Sequence, residues 1–416
     1  HNALLSSTTG RSNTAVGYAA LDANTTGEQN VAIGAWALSA NTTASGNVAV
    51  GNNVLDAITT GTYNVGMGTN ALGANTTGTG SVAVGQNALA ATTTTDNLTA
   101  VGTDALRYIT TGGDATAFGY GSLGNSSNDT ANGNTALGYY CFNALTTGSD
   151  GNVAIGRQAG ASHTTATQSV WIGKSAGWSA NASQCVAIGR RACQGVTTGA
   201  GNTAIGFQTM YQSVGTGANN TMVGAYTGQN FTGSNNFGIG YQAAYSGSPG
   251  GAPSGDNEGY LGDENITTIN AQVDITAASD KRDKTDVEPL VMGLNFINKL
   301  EPVTYRWDKR VKYIKKYQLD LPKDDPDYID LDDVEHDGTH TEPQLCAGLL
   351  AQDVEEIEQE FGFDKKDKTA LVTQLSGDGK AYSLNYARFV PMLIKSVQEL
   401  STQVESLKEE VKTLKE

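Results

Sequence analysis

Residues 279–284 read SDKRDK and hold a serine and a lysine five positions apart, Ser279 and Lys284. A serine hydroxyl is a weak nucleophile until a base removes its proton. A lysine amine is such a base only when neutral, which needs burial or cationic neighbours to lower its pKa. Lys281 and Arg282 lie close enough in sequence to supply that push, and Asp280 and Asp283 would oppose it on the same face. Taken alone, a serine and a lysine at this spacing are ordinary surface residues of a charged segment.

Other residues could do chemistry, and each has a plainer reading. GYGSLG satisfies G-x-G-x-x-G at Gly119, Gly121 and Gly124, but no strand–helix–strand pattern follows, so repeat geometry is expected there rather than a phosphate site. His336 and His340 lie four apart in an acidic, loop-like stretch without helical pattern. No metal site is expected from them, nor any cofactor elsewhere. Cys141, Cys185, Cys193 and Cys346 show no C-x-x-C spacing, so they read as reduced thiols of a protein made in a cytosol. The many N-x-S/T sequons read as turn residues. Arg190-Arg191 reads as a solvated basic pair. Trp36, Tyr139, Tyr140, Trp171 and Trp178 could stack on sugars, though packing between coils or chains is the commoner use of such rings.

The elements that must position these residues come from two different polymers. Of the 416 residues, 1–262 hold 6 Lys+Arg, 10 Asp+Glu and 45 of the 51 glycines, and 263–416 hold the other 20 and 32 charges. The net charge of −16 argues against nucleic acid as a partner, and no apolar run is long enough to insert in a membrane. The chain starts at His1 without a methionine or signal-peptide pattern, so an upstream region is expected to be missing.

The first polymer is one short phrase repeated: NVAIGAWALSANTTASG from Asn30, then NVAVGNNVLDAITTGTY from Asn47. Its glycine falls at 17, 34, 51, 68, 85, 102, 119, 138, 156, 173, 189, 206, 224 and 240, with a degenerate copy at 262. A period near 17 signals a solenoid, stable as a sum of neighbour interfaces. The residue before each glycine is apolar, the one two earlier is usually Val or Thr on the same face, and Ala usually sits between them on the other. That predicts three- or four-residue strands with one face buried. The glycine supplies a bend or a close approach, an Ala-Leu type pair a second apolar insertion, and NTTG a turn. Asparagines before the strand are candidates for side-chain ladders. The fold class expected is mainly β: a β-solenoid or β-roll over 1–245, a linker with a degenerate last repeat and strands over 246–276, and a small α+β domain over 277–416.

The N-x-A-V-G-x-x-A-L core resembles the head repeats of trimeric bacterial adhesins and the collar or shaft repeats of phage tail fibres. That resemblance implies three chains side by side.

The second polymer opens with SDKRDKTDVEPL and continues with GLNFINKLEPVTYRW, GLLAQDVEE and LNYARFVPMLIKSVQEL. A helical apolar pattern runs through Leu290, Leu294, Ile297 and Leu300, residues 308–343 are charged and loop-like, and a strand then a helix are expected from LCAGLLAQDVEEIEQEFGF. The final segment, 389–416, has the clearest period. Val390, Leu393, Val397, Leu400, Val404, Leu407, Val411 and Leu414 alternate by three and four, a coiled-coil heptad. Val at a and Leu at d favour two strands, whereas the adhesin-like resemblance implies three. Pro391 is expected near the helix start or at a kink.

In this order, the four blocks resemble the C-terminal intramolecular chaperone of phage endosialidases and other tail fibres. The resemblance covers about residues 277–416. It implies a trimeric chaperone that helps its own fibre fold and then cuts itself off. The family's catalytic serine and lysine map onto Ser279 and Lys284, with Asp280 and Arg282 completing the motif and cleavage just before Ser279. Ala278, preceded by Ala277, is small enough to leave its carbonyl open to the Ser279 hydroxyl. The attack gives an ester that water hydrolyses. The expected setting is a virion tail fibre assembled in the host cytoplasm. Its partners would be two further copies of itself, other tail proteins, and a host-surface glycan or protein receptor, and the chaperone part would be released after cleavage. Competing readings are a bacterial trimeric surface adhesin and a glycan-degrading tail spike. The first class is expected to end in a membrane-anchoring β-strand, a pattern that LKEEVKTLKE lacks. The second needs two carboxylates flanking a glycosidic bond.

Overall fold

The structure is a computed structural model. It describes residues 2–415 except 111, 126–131, 147, 213–215, 246–254, 264, 267, 271, 273–278, 315–324, 331–332, 365–368 and 376–381. The chain divides into two compact units, one of residues 1–245 with 253–263 and one of 246–252 with 264–416.

The first unit is a β-solenoid. Among the described residues, fifteen strands run from Thr14–Val16 (β1) to Gly259–Leu261 (β15), all parallel and paired strictly in sequence order. Each strand is three residues long and meets its neighbour without a register shift, as in Val31↔Val48, Ala32↔Ala49 and Ile33↔Val50. The degenerate last repeat supplies β15, so this sheet extends past residue 245. The one or two strands expected after the degenerate repeat, from the alternation in NITTINAQVDITAA (265–278), have no counterpart among the described residues of that stretch.

The buried face of each strand is the one carrying its middle residue. Ala32, Ala49 and Ala83 are fully buried, whereas Val16 and Ile33 keep 58% and 41% of their surface. The interior of a one-strand coil is narrow. The leucine of the second insertion already fills it, so only a small residue fits opposite.

That leucine sits in left-handed backbone, as at Leu38 (φ 53°) and Leu55 (φ 52°). The strain is on the order of 1 kcal/mol per residue and is offset by full burial of the side chain, which contributes about 2 kcal/mol. The repeat glycines are also obligatory. Gly34 has φ +134°, and a Cβ there would lie 2.1 Å from the Gly51 carbonyl oxygen of the next coil.

Polar groups close in ladders. The Asn64 amide N–H donates to Asn47 Oδ1 and the Asn47 N–H to Asn30 Oδ1, both at 2.9 Å. Asn47 Nδ2 then reaches across the roll to the Gly61 carbonyl at 2.9 Å. These are the ladders that the asparagines before the strand suggested. They resume at Asn134 after a break at Leu98 and Ala115. A second asparagine closes the NTTG turn: Asn41 Oδ1 accepts from Ala44 N–H at 3.0 Å, and its Nδ2 donates to Asn24 Oδ1. Such asparagines are buried, which leaves no room for a glycan on Asn24, Asn41 or Asn75.

The core compensates volume within a coil. In β10 (Val170–Ile172) the middle residue is Trp171, fully buried, and the leucine position of the same coil is Gly177. A Cβ on Gly177 would meet the Trp171 ring at 2.3 Å. Met222 with Gly228 repeats the exchange.

The second unit is α+β. After a 3-10 turn at Lys281–Asp283 come α1 (Leu294–Ile297), β16 (Val303–Tyr305), β17 (Cys346–Gly348), α2 (Ala351–Glu360), β18 (Thr373–Leu375), β19 (Tyr382–Leu384) and α3 (Phe389–Lys415). The strands form two antiparallel pairs, β16–β17 and β18–β19. A small core joins Met292, Phe296, Val354, Val372, Phe389 and Met392. The helical stripe expected through Leu290, Leu294, Ile297 and Leu300 shortens to one turn, and the deepest residues of this segment are Met292 and Phe296, outside that stripe. Pro391 lies in the first turn of α3, where its missing N–H costs nothing. Among the described residues no helix is long and apolar enough to cross a membrane.

Candidate active site

The local sequence of 279–284 dictates a tight turn. Asp280 is extended and caps the 3-10 turn, its carboxylate accepting from the Arg282 backbone N–H at 2.9 Å. The same carboxylate pairs with the Arg282 guanidinium through Nε at 3.1 Å and Nη2 at 2.5 Å. This pairing holds the Asp280 carboxyl below the usual carboxylate range and raises the guanidinium. The turn closes with Lys284 N–H on the Lys281 carbonyl, and the chain leaves extended.

That geometry brings the ends of the hexapeptide together: Lys284 Nζ lies 2.7 Å from Ser279 Oγ, a direct hydrogen bond. Both residues are exposed in the single chain. The distance suits proton transfer between hydroxyl and amine, but a lysine base also has to lose its solvent. Arg282 cannot supply the cationic push, because Asp280 neutralises it. Ala278 and Ala277, on the other side of the bond expected to break, lie outside the described residues.

The unit behind this turn is held by two carboxylates that sequence reading passed over. Glu358 of α2 is fully buried and accepts from the backbone N–H groups of Leu371, Val372 and Thr373 at 2.7, 2.8 and 3.1 Å, and from the Thr373 hydroxyl. Within EEIEQE nothing separates it from its neighbours. Glu399 of α3 accepts from Leu294 N–H at 2.7 Å and so caps α1. A Cβ on Gly293 would lie 2.4 Å from that carboxylate, which explains the glycine.

Beyond Glu399, α3 carries no buried residue. Its heptad residues Val390, Leu393, Val397, Leu400, Val404, Leu407, Val411 and Leu414 are all exposed along one 27-residue helix. The remaining candidates separate cleanly. His336 lies 3.6 Å from Asp308 and tilted against Tyr313, and His340 meets Tyr313 edge-on at 4.7 Å between ring centroids. Among the described residues no group of three metal-ligating side chains converges. Gly119 and Gly121 serve the coil: both have positive φ, and a Cβ on Gly121 would strike the Tyr140 ring at 2.6 Å. All four cysteines are free thiols, and burial pushes Cys141 up to about 11. Trp171 packs in the core, whereas Trp36, Tyr139 and Trp178 are exposed.

A long parallel β-solenoid followed by a small α+β unit with a protruding apolar helix is the architecture of a fibre-like protein. Residues 279–363 match the sequence model of the peptidase family described as chaperone of endosialidase. The match lies in the C-terminal region and begins at Ser279 itself. No curated protein matches the chain.

Proposed function

We propose that this chain is a segment of a phage tail fibre or spike whose C-terminal domain drives trimeric folding and then releases itself by autoproteolysis before Ser279. The observation that carries the reading is the 2.7 Å contact of Lys284 Nζ with Ser279 Oγ, at the first residue of the family match.

The chemistry runs as an N-to-O acyl shift. Lys284, as the free amine, takes the hydroxyl proton while Ser279 Oγ adds to the Ala278 carbonyl carbon. The C–N bond of the 278–279 peptide breaks as the amine nitrogen receives that proton, leaving Ala278 esterified to Ser279. Water then cleaves the ester, giving the Ala278 carboxylate, the Ser279 hydroxyl and a new amino terminus.

The exposure of both side chains in the single chain points to activation by assembly. Assembly through the exposed α3 stripe activates the site if a neighbouring copy covers Lys284, since loss of solvent favours the neutral amine. The solenoid stays on the fibre as shaft or receptor-binding surface, with a host-surface glycan or protein and other tail proteins as partners.

Denaturing gels and intact mass spectrometry of the expressed chain test this. Wild type should give fragments 1–278 and 279–416, and Ser279→Ala and Lys284→Ala should each give one full-length species. A single full-length band from trimeric wild type, or normal cleavage in either variant, would overturn the reading.

A further inference from the structure

The repeat glycines set a column along the solenoid surface, because the residue after each glycine occupies the same place in every coil. In the middle and later coils this column reads Tyr120, Tyr139, Arg157, Lys174, Arg190 and Phe207. The backbone ladder joins these rungs: Ser175 N–H donates to the Arg157 carbonyl, Arg191 to Lys174 and Gln208 to Arg190, each at 2.9 Å. Successive rungs therefore stand about 4.8 Å apart. Arg157, Lys174 and Arg190 are exposed, and Arg191 lies beside them one position on. None of the four pairs with a described carboxylate. Instead Arg157 lies over Tyr139 at 5.6 Å and Arg190 over Phe207 at 5.4 Å. Tyr120 stacks on Tyr139 with centroids 5.6 Å apart.

The charge around this ridge is segregated. The chain carries −16 overall, yet residues 151–255 contain no Asp or Glu, and their only Lys or Arg residues are these four. Coils nearer the start place Tyr18, Ala35, Asn52, Thr69, Gln86 and Thr103 in the same column, none of them charged. The ridge is thus a cationic and aromatic strip on an otherwise acidic or neutral rod.

We propose that this ridge is a docking site for an anionic polysaccharide. Its acidic groups meet Arg157, Lys174, Arg190 and Arg191, and its sugar rings lie against Tyr139 and Phe207. A second copy of the chain fits poorly. In a parallel assembly the same coils of each copy lie at the same height, and residues 151–255 offer no carboxylate to meet the cations. A nucleic acid needs a broad basic patch, and these four cations are the only ones in residues 151–255.

The proposal rests on the solenoid being an exposed fibre surface and not on cleavage, so binding should be the same in wild type and in uncleaved Ser279→Ala. Titration calorimetry of the full chain with polygalacturonate, dextran sulfate, neutral dextran and a single-stranded oligonucleotide tests it. At least one anionic polysaccharide should bind, more weakly as salt rises, and neutral dextran should not. Arg157→Ala with Arg190→Ala should lower affinity at least tenfold, and Tyr139→Ala with Phe207→Ala should also weaken it, with the melting temperature and oligomeric state unchanged. Four results would overturn the proposal: binding to neither anionic polysaccharide, tighter binding to the oligonucleotide, loss in the arginine variant alone, or dissociation of the oligomer by the arginine variant.

Discussion

The imidazole of His163 stands where other coils place an asparagine. Nε2 faces the Ala166 carbonyl three residues on, as Asn41 Nδ2 faces Ala44, and Nδ1 lies 2.6 Å from the Ala180 carbonyl of the next coil. Burial between Phe142 and Trp171 lowers its pKa. The folded state therefore resists a proton that the unfolded chain accepts near pH 6.5. Stability from this site is present above about pH 6.5 and is lost as the pH falls below it. Denaturant melts at pH 7.5 and 5 should show that loss, and His163→Asn, which restores the common turn residue, should reduce it. An equal loss in both proteins would assign the acid sensitivity to other groups.

At the scale of the element, β10 and the turn after it form one packing unit with Trp171 in place of alanine and Gly177 in place of leucine. Trp171→Ala alone should cost about 3–5 kcal/mol through the cavity it leaves. Gly177→Leu alone should overpack the coil by about 1–3 kcal/mol. Gly177 has φ +58°, close to that of Leu38, so its backbone accepts leucine. The double variant should then be more stable than the sum of the two, a coupling that urea melts in a double-mutant cycle read directly. The α3 helix calls for a different test. Its stripe has no partner within the described residues beyond the Glu399 contact, so Leu400→Lys with Leu407→Lys should leave the domain core intact. The pair should shift the chain to monomer by light scattering and slow its cleavage. Unchanged mass and cleavage would show that the stripe does not join copies.

For the whole molecule, cleavage would separate a repetitive rod from the unit that aligns its copies. A solenoid of fifteen in-register coils has one identical pairing option after another, so slippage is its natural folding error. In the proposed trimer, an anchor at one end would set the alignment by holding chains at high local concentration. Its removal would make unfolding hard to reverse, which is kinetic stability. Uncleaved Ser279→Ala should therefore refold on dilution from denaturant, and the isolated 1–278 product should not. Equal refolding yields, measured by recovery of native trimer, would remove this role from the C-terminal domain.

The period near 17, the glycine column, the asparagine ladder, the NTTG turn and the α3 heptads were all legible in the chain itself. Each is a local chemical demand repeated many times: a backbone that only glycine adopts, an amide that must be satisfied, an apolar stripe at helical spacing. The buried strand face was not legible, because Val-Ala-Ile is apolar on both sides and a period of two cannot rank them. The width of the coil interior decided in favour of alanine and left the larger residues outside. Only the tertiary structure could pair Trp171 with Gly177, seat Glu358 among three backbone N–H groups, and gather dispersed Arg and Lys residues into one ridge. Those relations depend on which coil or strand lies next in space. The Ser279–Lys284 contact lies between the two cases: the motif named the residues, and the Asp280-capped turn set the distance between them.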